Sequence, residues 1–248
     1  MEGRVGLVLV LVLGGLGWCC VEGCWEEEKL ALLQLKPFFY MQWDVLNYRL
    51  RYGLYNWVEE DNSVSDCCKR ESVECDPTTG RVTALNLSIS SDGEFGHFYF
   101  FEGEFDPWFL NVSLFLPFND LKSLSLSERR IAGCLHNHEF DKVAEKLKKL
   151  EVLDLSLNYL NDSNILLSLL ELSSLKSLNL SGNRLTGLPI HTDGLSTKLS
   201  SIDTLDLSHN NFDDTILSAL SALPSLKHLD LSNNEIKGSS HINGIFLS

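Results

Sequence analysis

LDLSLNYL, residues 153–160, returns as LNLSGNRL at 178–185, LDLSHNNF at 205–212 and LDLSNNEI at 229–236. Counted from the first leucine of each copy, the intervals are 25, 27 and 24 residues. An apolar residue stands three places before that leucine (Leu150, Leu175, Ile202, Leu226), and an asparagine five places after it (Asn158, Asn183, Asn210, Asn234). The alternation in L-x-L is the period-two pattern of a strand with its leucines on one face. One short strand cannot bury that face by itself, so the units must stack. Each copy then lends its leucines to a continuous core and its backbone to a parallel sheet, while the asparagine amide satisfies backbone groups where the chain leaves the strand.

This spacing is that of leucine-rich repeats. It predicts an α/β repeat fold, a leucine-rich repeat solenoid with a curved parallel sheet and a disulfide-bonded N-terminal cap. Two weaker copies come first. LKSLSLSERRI, from Leu121, keeps the leucines but has Arg129 where the asparagine belongs, and VTALNLSI, from Val82, keeps only the strand. The expected organisation is a signal peptide over 1–23, a cap over 24–80, and leucine-rich repeats over 81–248. These number about six, the first two irregular, with an aromatic insertion near 92–118.

The 248 residues are 44% hydrophobic, enough for a sizeable core, and carry 20 Lys plus Arg against 34 Asp plus Glu, a formal charge of -14. Such a surface repels nucleic acid and anionic membranes and favours neutral or basic partners. At the N-terminus, MEGR precedes the apolar run VGLVLVLVLGGLG (5–17), the layout of a secretory signal. Val21 and Gly23 suit cleavage before Cys24, and Gly15 and Gly17 suit an earlier cut before Trp18. The run is too short to span a bilayer, and no longer apolar run follows. The chain is therefore expected in the secretory pathway and outside the cell, with no membrane span of its own.

Seven cysteines suit that oxidising compartment. Cys19 and Cys20 fall in or beside the signal, Cys24 opens the cap, and Cys67, Cys68 and Cys75 cluster before the repeats. The side chains of adjacent Cys67 and Cys68 diverge, so each should reach a different partner, with Cys24 and Cys75 the ones within the same module. A metal reading of this cluster lacks a paired C-x-x-C and a matching histidine.

With these residues in view, the chain resembles the extracellular N-terminal part of plant leucine-rich repeat receptor-like proteins. The resemblance is carried by the cap CWEEEKLALLQLK…W…DCC…VECDPTTGRVTALNLS, by WFLNVSLFLPFNDLKSLSLS, and by the repeat ending NRLTGLP. It implies the pairs Cys24–Cys67 and Cys68–Cys75. It also implies a non-catalytic cell-surface sensor of protein, peptide or carbohydrate ligands in defence or developmental signalling, acting through a partner receptor kinase and located at the cell membrane in a longer form. An alternative of another class is a secreted inhibitor similar to the plant polygalacturonase-inhibiting proteins, which block a pathogen's cell-wall-degrading enzyme. The tryptophan usual after the paired cysteines is replaced here by KRESVEC. The resemblance further implies more repeats, a closing cysteine cap and a membrane helix. A chain that stops without them is expected to fray from Leu226 onward or to self-associate through its last repeat.

Several local stretches invite sharper readings. WEEEKLALLQLK begins acidic and turns apolar at Leu30, Leu33 and Leu35, as a capping helix with carboxylates at its positive end should. CLHNHEF brings together Cys134, His136, His138 and Glu139, but no fourth ligand stands at metal spacing, so no metal site is expected and Cys134 reads as a free or distantly paired thiol. The aromatic insertion reads as a satellite core more readily than as a ligand platform. No nucleophile elbow, zinc-protease helix, phosphate loop or dinucleotide fingerprint is present, so neither an enzyme nor a cofactor is expected.

Recognition should instead be written on the concave sheet. The candidate ligand face pairs Val152 with Asp154, Ser177 with Asn179, Thr204 with Asp206 and His228 with Asp230, and Leu157, Gly182, His209 and Asn233 border it. The Asp and Asn members recur too regularly to be anything but scaffold, so specificity falls to their neighbours. Sequons stand at Asn86, Asn111, Asn161 and Asn179, and Asn86 and Asn179 lie between strand leucines, facing the same surface.

Overall fold

A computed structural model describes residues 24–41, 54, 57, 66–88, 107–135, 145–161, 165, 169, 172–187, 201–221 and 223–238. The signal segment, the N-terminal part of the aromatic insertion, and His136, His138 and Glu139 lie outside the described residues.

The chain enters through helix α1 (Glu26–Met41), whose first turn carries Glu26, Glu27 and Glu28. Its inward side is Glu28, Ala31, Leu32, Leu35 and Phe39, all buried, whereas Leu30 is 51% exposed. Cys24 is bonded to Cys67, which opens a short 3-10 turn, and Cys68 is bonded to Cys75, each pair with Cα atoms 5.6 Å apart. Arg70 occupies the stretch where the tryptophan is missing. Its guanidinium is buried without a hydrogen-bond partner, and burial lowers its pKa.

Strand β1 (Val73–Cys75) runs antiparallel to β2 (Val82–Asn86) across the turn DPTTG, where Gly80 takes the left-handed backbone (φ 67°). The cap thereby supplies the edge strand of the main sheet. From β2 the sheet is parallel through β4 (Ser123–Ser125), β6 (Val152–Asp154), β7 (Ser177–Asn179), β8 (Thr204–Asp206) and β9 (His228–Asp230). The leucines align without a slip: Leu85, Leu124, Leu153, Leu178, Leu205 and Leu229 are partners in sequence. All but Leu229 are buried, and the core they build extends through Leu150, Leu175 and Ile202 on the inner side. Helix α2 (Thr215–Leu220) covers that side with Ile216, Leu217 and Leu220.

A second, two-stranded parallel sheet joins β3 (Trp108–Leu110) to β5 (Ile131–Cys134). It uses the described end of the aromatic insertion. Phe115 and Phe118 enter the main core, and Trp108 meets Phe39 of α1 edge to face at 5.8 Å. This part of the insertion is core, although Phe109 remains exposed.

The turn of the β1–β2 hairpin has a pH signature. Asp76 accepts hydrogen bonds from the Thr78 hydroxyl and amide and from the Thr79 amide, at 2.5, 2.8 and 3.0 Å, which hold its carboxyl down to about 2. Because the folded value lies below the ordinary one, the contribution is complete above about pH 4 and is lost as pH falls through about 2. A carboxyl titration followed by NMR should place Asp76 near 2, and a midpoint at the ordinary 3.8 would refute the turn geometry.

Candidate functional site

The repeat asparagines make a continuous ladder beneath the face. Asn183 Nδ2 donates to the carbonyls of Leu155, Leu180 and Ser181 at 3.0, 2.9 and 3.3 Å, and its Oδ1 accepts from the Leu160 amide at 3.1 Å. Asn158 and Asn210 repeat the pattern, and Asn234 follows it with a less buried side chain. In every case one carbonyl belongs to the preceding repeat, two places after its strand leucine. At the position where the sequence departs, Arg129 Nε donates to the carbonyl of Leu87, the equivalent site one repeat earlier. The substitution thus keeps the inter-repeat link, and the guanidinium stacks over Phe39 at 5.2 Å while burial pulls its pKa down to about 9.

On the other side of the sheet the predicted face residues form two columns. Ser123, Val152, Ser177, Thr204 and His228 are in register along one, and Asn86, Ser125, Asp154, Asn179, Asp206 and Asp230 along the other. None of them is buried, and Val152 is 41% exposed. In the second column each Asp or Asn accepts a hydrogen bond from the amide two residues on: Ser156 to Asp154 at 2.9 Å, Ser181 to Asn179 at 3.0 Å, Ser208 to Asp206 at 2.9 Å and Ser232 to Asp230 at 2.8 Å. These bonds close the turn that leaves each strand, and they hold the Asp230 carboxyl below the usual range. One oxygen of each carboxylate is thereby committed to scaffold, and the second oxygen of Asp154 also accepts from the Ser125 hydroxyl, at 3.4 Å.

The bordering row has a backbone peculiarity that composition does not reveal. Glu128, Leu157, Gly182, His209 and Asn233, each four places after a strand leucine, all have left-handed φ, between 54° and 64°. Glycine and asparagine tolerate this region, and leucine pays about 1–2 kcal/mol. Leu157 is nevertheless 52% exposed and leans over Gly182, whose absent Cβ would fall 2.6 Å from its Cδ2. Replacing Leu157 by Asn should therefore raise stability by about 1 kcal/mol, since little burial is lost and the strain is relieved. Urea unfolding measures it, and a destabilised variant would show that the packing on Gly182 outweighs the strain.

Charges differ between the two margins of the face. Two residues before each strand leucine stand Lys122, Glu151, Lys176, Asp203 and Lys227, alternating in sign, with Lys176 3.0 Å from Glu151 and Lys227 3.5 Å from Asp203. That margin is self-neutralising. The second column carries Asp154, Asp206 and Asp230 with no cation in its register.

Sequence reading missed the pairing of cap and first repeat. Glu28, assigned only to the helix terminus, is fully buried. It accepts from the Val82 amide at 3.1 Å and meets Arg81 at 3.3 Å, while burial raises its pKa against these two attractions. Arg81 also lies over Trp25 at 3.6 Å. Among the described residues no His, Cys, Asp and Glu cluster has metal-binding geometry, and no helix is long and apolar enough to cross a membrane.

Comparison with known proteins agrees with this architecture. A leucine rich repeat family model matches residues 173–236. Cuscuta receptor 1 of Solanum lycopersicum is 33% identical over 91% of this chain and 21% of its own length, and receptor like protein 21 of Arabidopsis thaliana is 33% identical over 98% of this chain and 23% of its own. The chain spans about a fifth of the length of these relatives. Among solved structures, the ectodomain of the Arabidopsis receptor kinase HAESA, in complex with a peptide hormone, superposes over 85% of this chain and 29% of that one with a TM-score of 0.53 at 22% identity, a likeness of fold. The seven-stranded repeat sheet, the bonded cap and these relatives together make the chain a leucine-rich repeat protein of the plant receptor-like family.

Proposed function

We propose that this chain is the extracellular ligand-recognition module of a plant receptor-like protein, non-catalytic, and coupled to a receptor kinase for defence or developmental signalling. The observation that carries the reading is the pair of solvent-facing columns held in register by a rigid asparagine ladder. A surface of this kind presents side chains from several repeats at strand spacing, which suits an extended peptide or oligosaccharide laid across the strands. Within the columns the variable members, Val152, Ser177, Thr204 and His228, set specificity, and Asp154, Asn179, Asp206 and Asp230 hold the turns, the three aspartates among them supplying negative charge. Val152 and Leu157 add exposed apolar contact on one repeat. With a chain charge of -14, the ligand is neutral or basic. The bonded cap fits a secreted module.

Selection of binders from a displayed random-peptide library and a panel of cell-wall oligosaccharides tests the reading. Binders should be lost when Val152 and Thr204 are both changed to Lys with the fold retained by circular dichroism. Binders indifferent to those changes but lost on substituting exposed Ser218 of α2 would overturn it.

A further inference from the structure

The strand register puts two of the sequons into one column. Asn86 ends β2 and Asn179 ends β7, with Ser125 and Asp154 between them in the same row. Three strand steps separate the two asparagines, about 14 Å at the usual spacing. Both side chains have the same local arrangement. Asn179 Oδ1 accepts from the Ser181 amide at 3.0 Å and the Ser181 hydroxyl at 2.8 Å, and Asn86 Oδ1 accepts from the Ser88 amide at 3.2 Å and from the Ser88 hydroxyl. The serine in each case is the one that completes the sequon. Among the described residues neither Nδ2 has a hydrogen-bond partner, and neither side chain is buried.

We propose that Asn86 and Asn179 carry N-linked oligosaccharides that screen Ser125 and Asp154, the two residues between them in the column, and leave the β8–β9 end of the same column, Asp206 and Asp230, unscreened. The donor is a lipid-diphosphate-linked oligosaccharide of the secretory pathway. A bond forms between Nδ2 and C1 of the reducing-end N-acetylglucosamine, the bond from C1 to the diphosphate oxygen breaks, the lipid diphosphate leaves, and Nδ2 gives up one proton. The folded chain tolerates the product because Oδ1 alone is engaged in closing the turn, so substitution at Nδ2 breaks none of these hydrogen bonds. Asp154, Asp206 and Asp230 occupy the same turn position with a carboxylate and offer no such nitrogen. Modification and screening do not depend on the face being a recognition surface.

The test needs no ligand. The chain is secreted from a eukaryotic host, and peptides containing Asn86 and Asn179 are weighed before and after peptide-N-glycosidase, which converts an occupied Asn to Asp. Ser125→Cys and His228→Cys variants are then labelled with a bulky maleimide, with the unsubstituted chain giving the background from Cys134. Both sites should be occupied. Ser125→Cys should label several-fold more slowly than in a Ser88→Ala, Ser181→Ala background, and His228→Cys equally fast in both. Unoccupied asparagines, or equal labelling of Ser125→Cys with and without the sequons, would overturn the proposal. Loss of peptide binding with this pattern intact would instead refute the recognition reading.

Discussion

An Asn183→Ala variant is expected to be less stable by about 3–5 kcal/mol, because one truncation orphans several buried groups at about 1–3 kcal/mol each. The carbonyls of Leu155, Leu180 and Ser181 lose a donor, and the Leu160 amide loses an acceptor. Water cannot substitute without entering a core in which Leu155, Leu160, Leu178 and Leu180 are all buried. The defect also lies at a repeat interface, and neighbour interfaces account for much of a solenoid's cooperativity. Urea unfolding should show the loss as a lower midpoint, and hydrogen exchange should show the repeats after β7 opening independently of the cap. An Asn183→Asp variant should fare no better at neutral pH, since its carboxylate sets a further acceptor against the same carbonyls. A shift below about 1 kcal/mol would mean that the ladder is not the link between repeats.

The cap bonds should weigh comparably. Loop-closure entropy gives about 4 kcal/mol for the bond across the longer separation and about 2.5 kcal/mol for the shorter. Cys24–Cys67 spans 43 residues and anchors α1, whereas Cys68–Cys75 spans 7 within one hairpin. Cys24→Ser should accordingly lower the midpoint more than Cys68→Ser, and peptide mapping without reduction should recover both links from the parent chain. Equal losses would indicate that α1 stays docked through Leu32, Leu35, Phe39 and the Glu28 bond to Val82 without the covalent tie. Alkylation of all four thiols in the native chain would remove the clasp altogether.

What could be read from the letters depended on periodicity. The leucine alternation and the asparagine five places on repeat often enough to define strands, register and the outward columns before any coordinate is known. Arg129 broke the period, and its compensating reach to the Leu87 carbonyl depends on a neighbour 42 positions away, beyond any local pattern. The β3–β5 sheet was equally invisible, since each of its strands occurs once and one belongs to a segment recognisable only as aromatic. Glu28 looked like a dipole-matched surface acid because a helix shows its inward side only through its partner, here the first repeat. Left-handed backbone at Leu157 could be inferred only from Gly182 and Asn233 at equivalent positions, residues that tolerate what leucine does not.

Recognition through the outward columns is most directly examined by carboxyl footprinting of the glycosylated chain with and without a peptide binder selected on the intact protein. Carbodiimide labelling reads Asp206 and Asp230 on the face, with Glu26 on α1 and Asp213 before α2 as references away from it. The expected result is protection of Asp206 and Asp230 with unchanged labelling of Glu26 and Asp213. Protection of Glu26 or Asp213 with Asp206 and Asp230 fully labelled would place the ligand elsewhere on the solenoid and contradict the account.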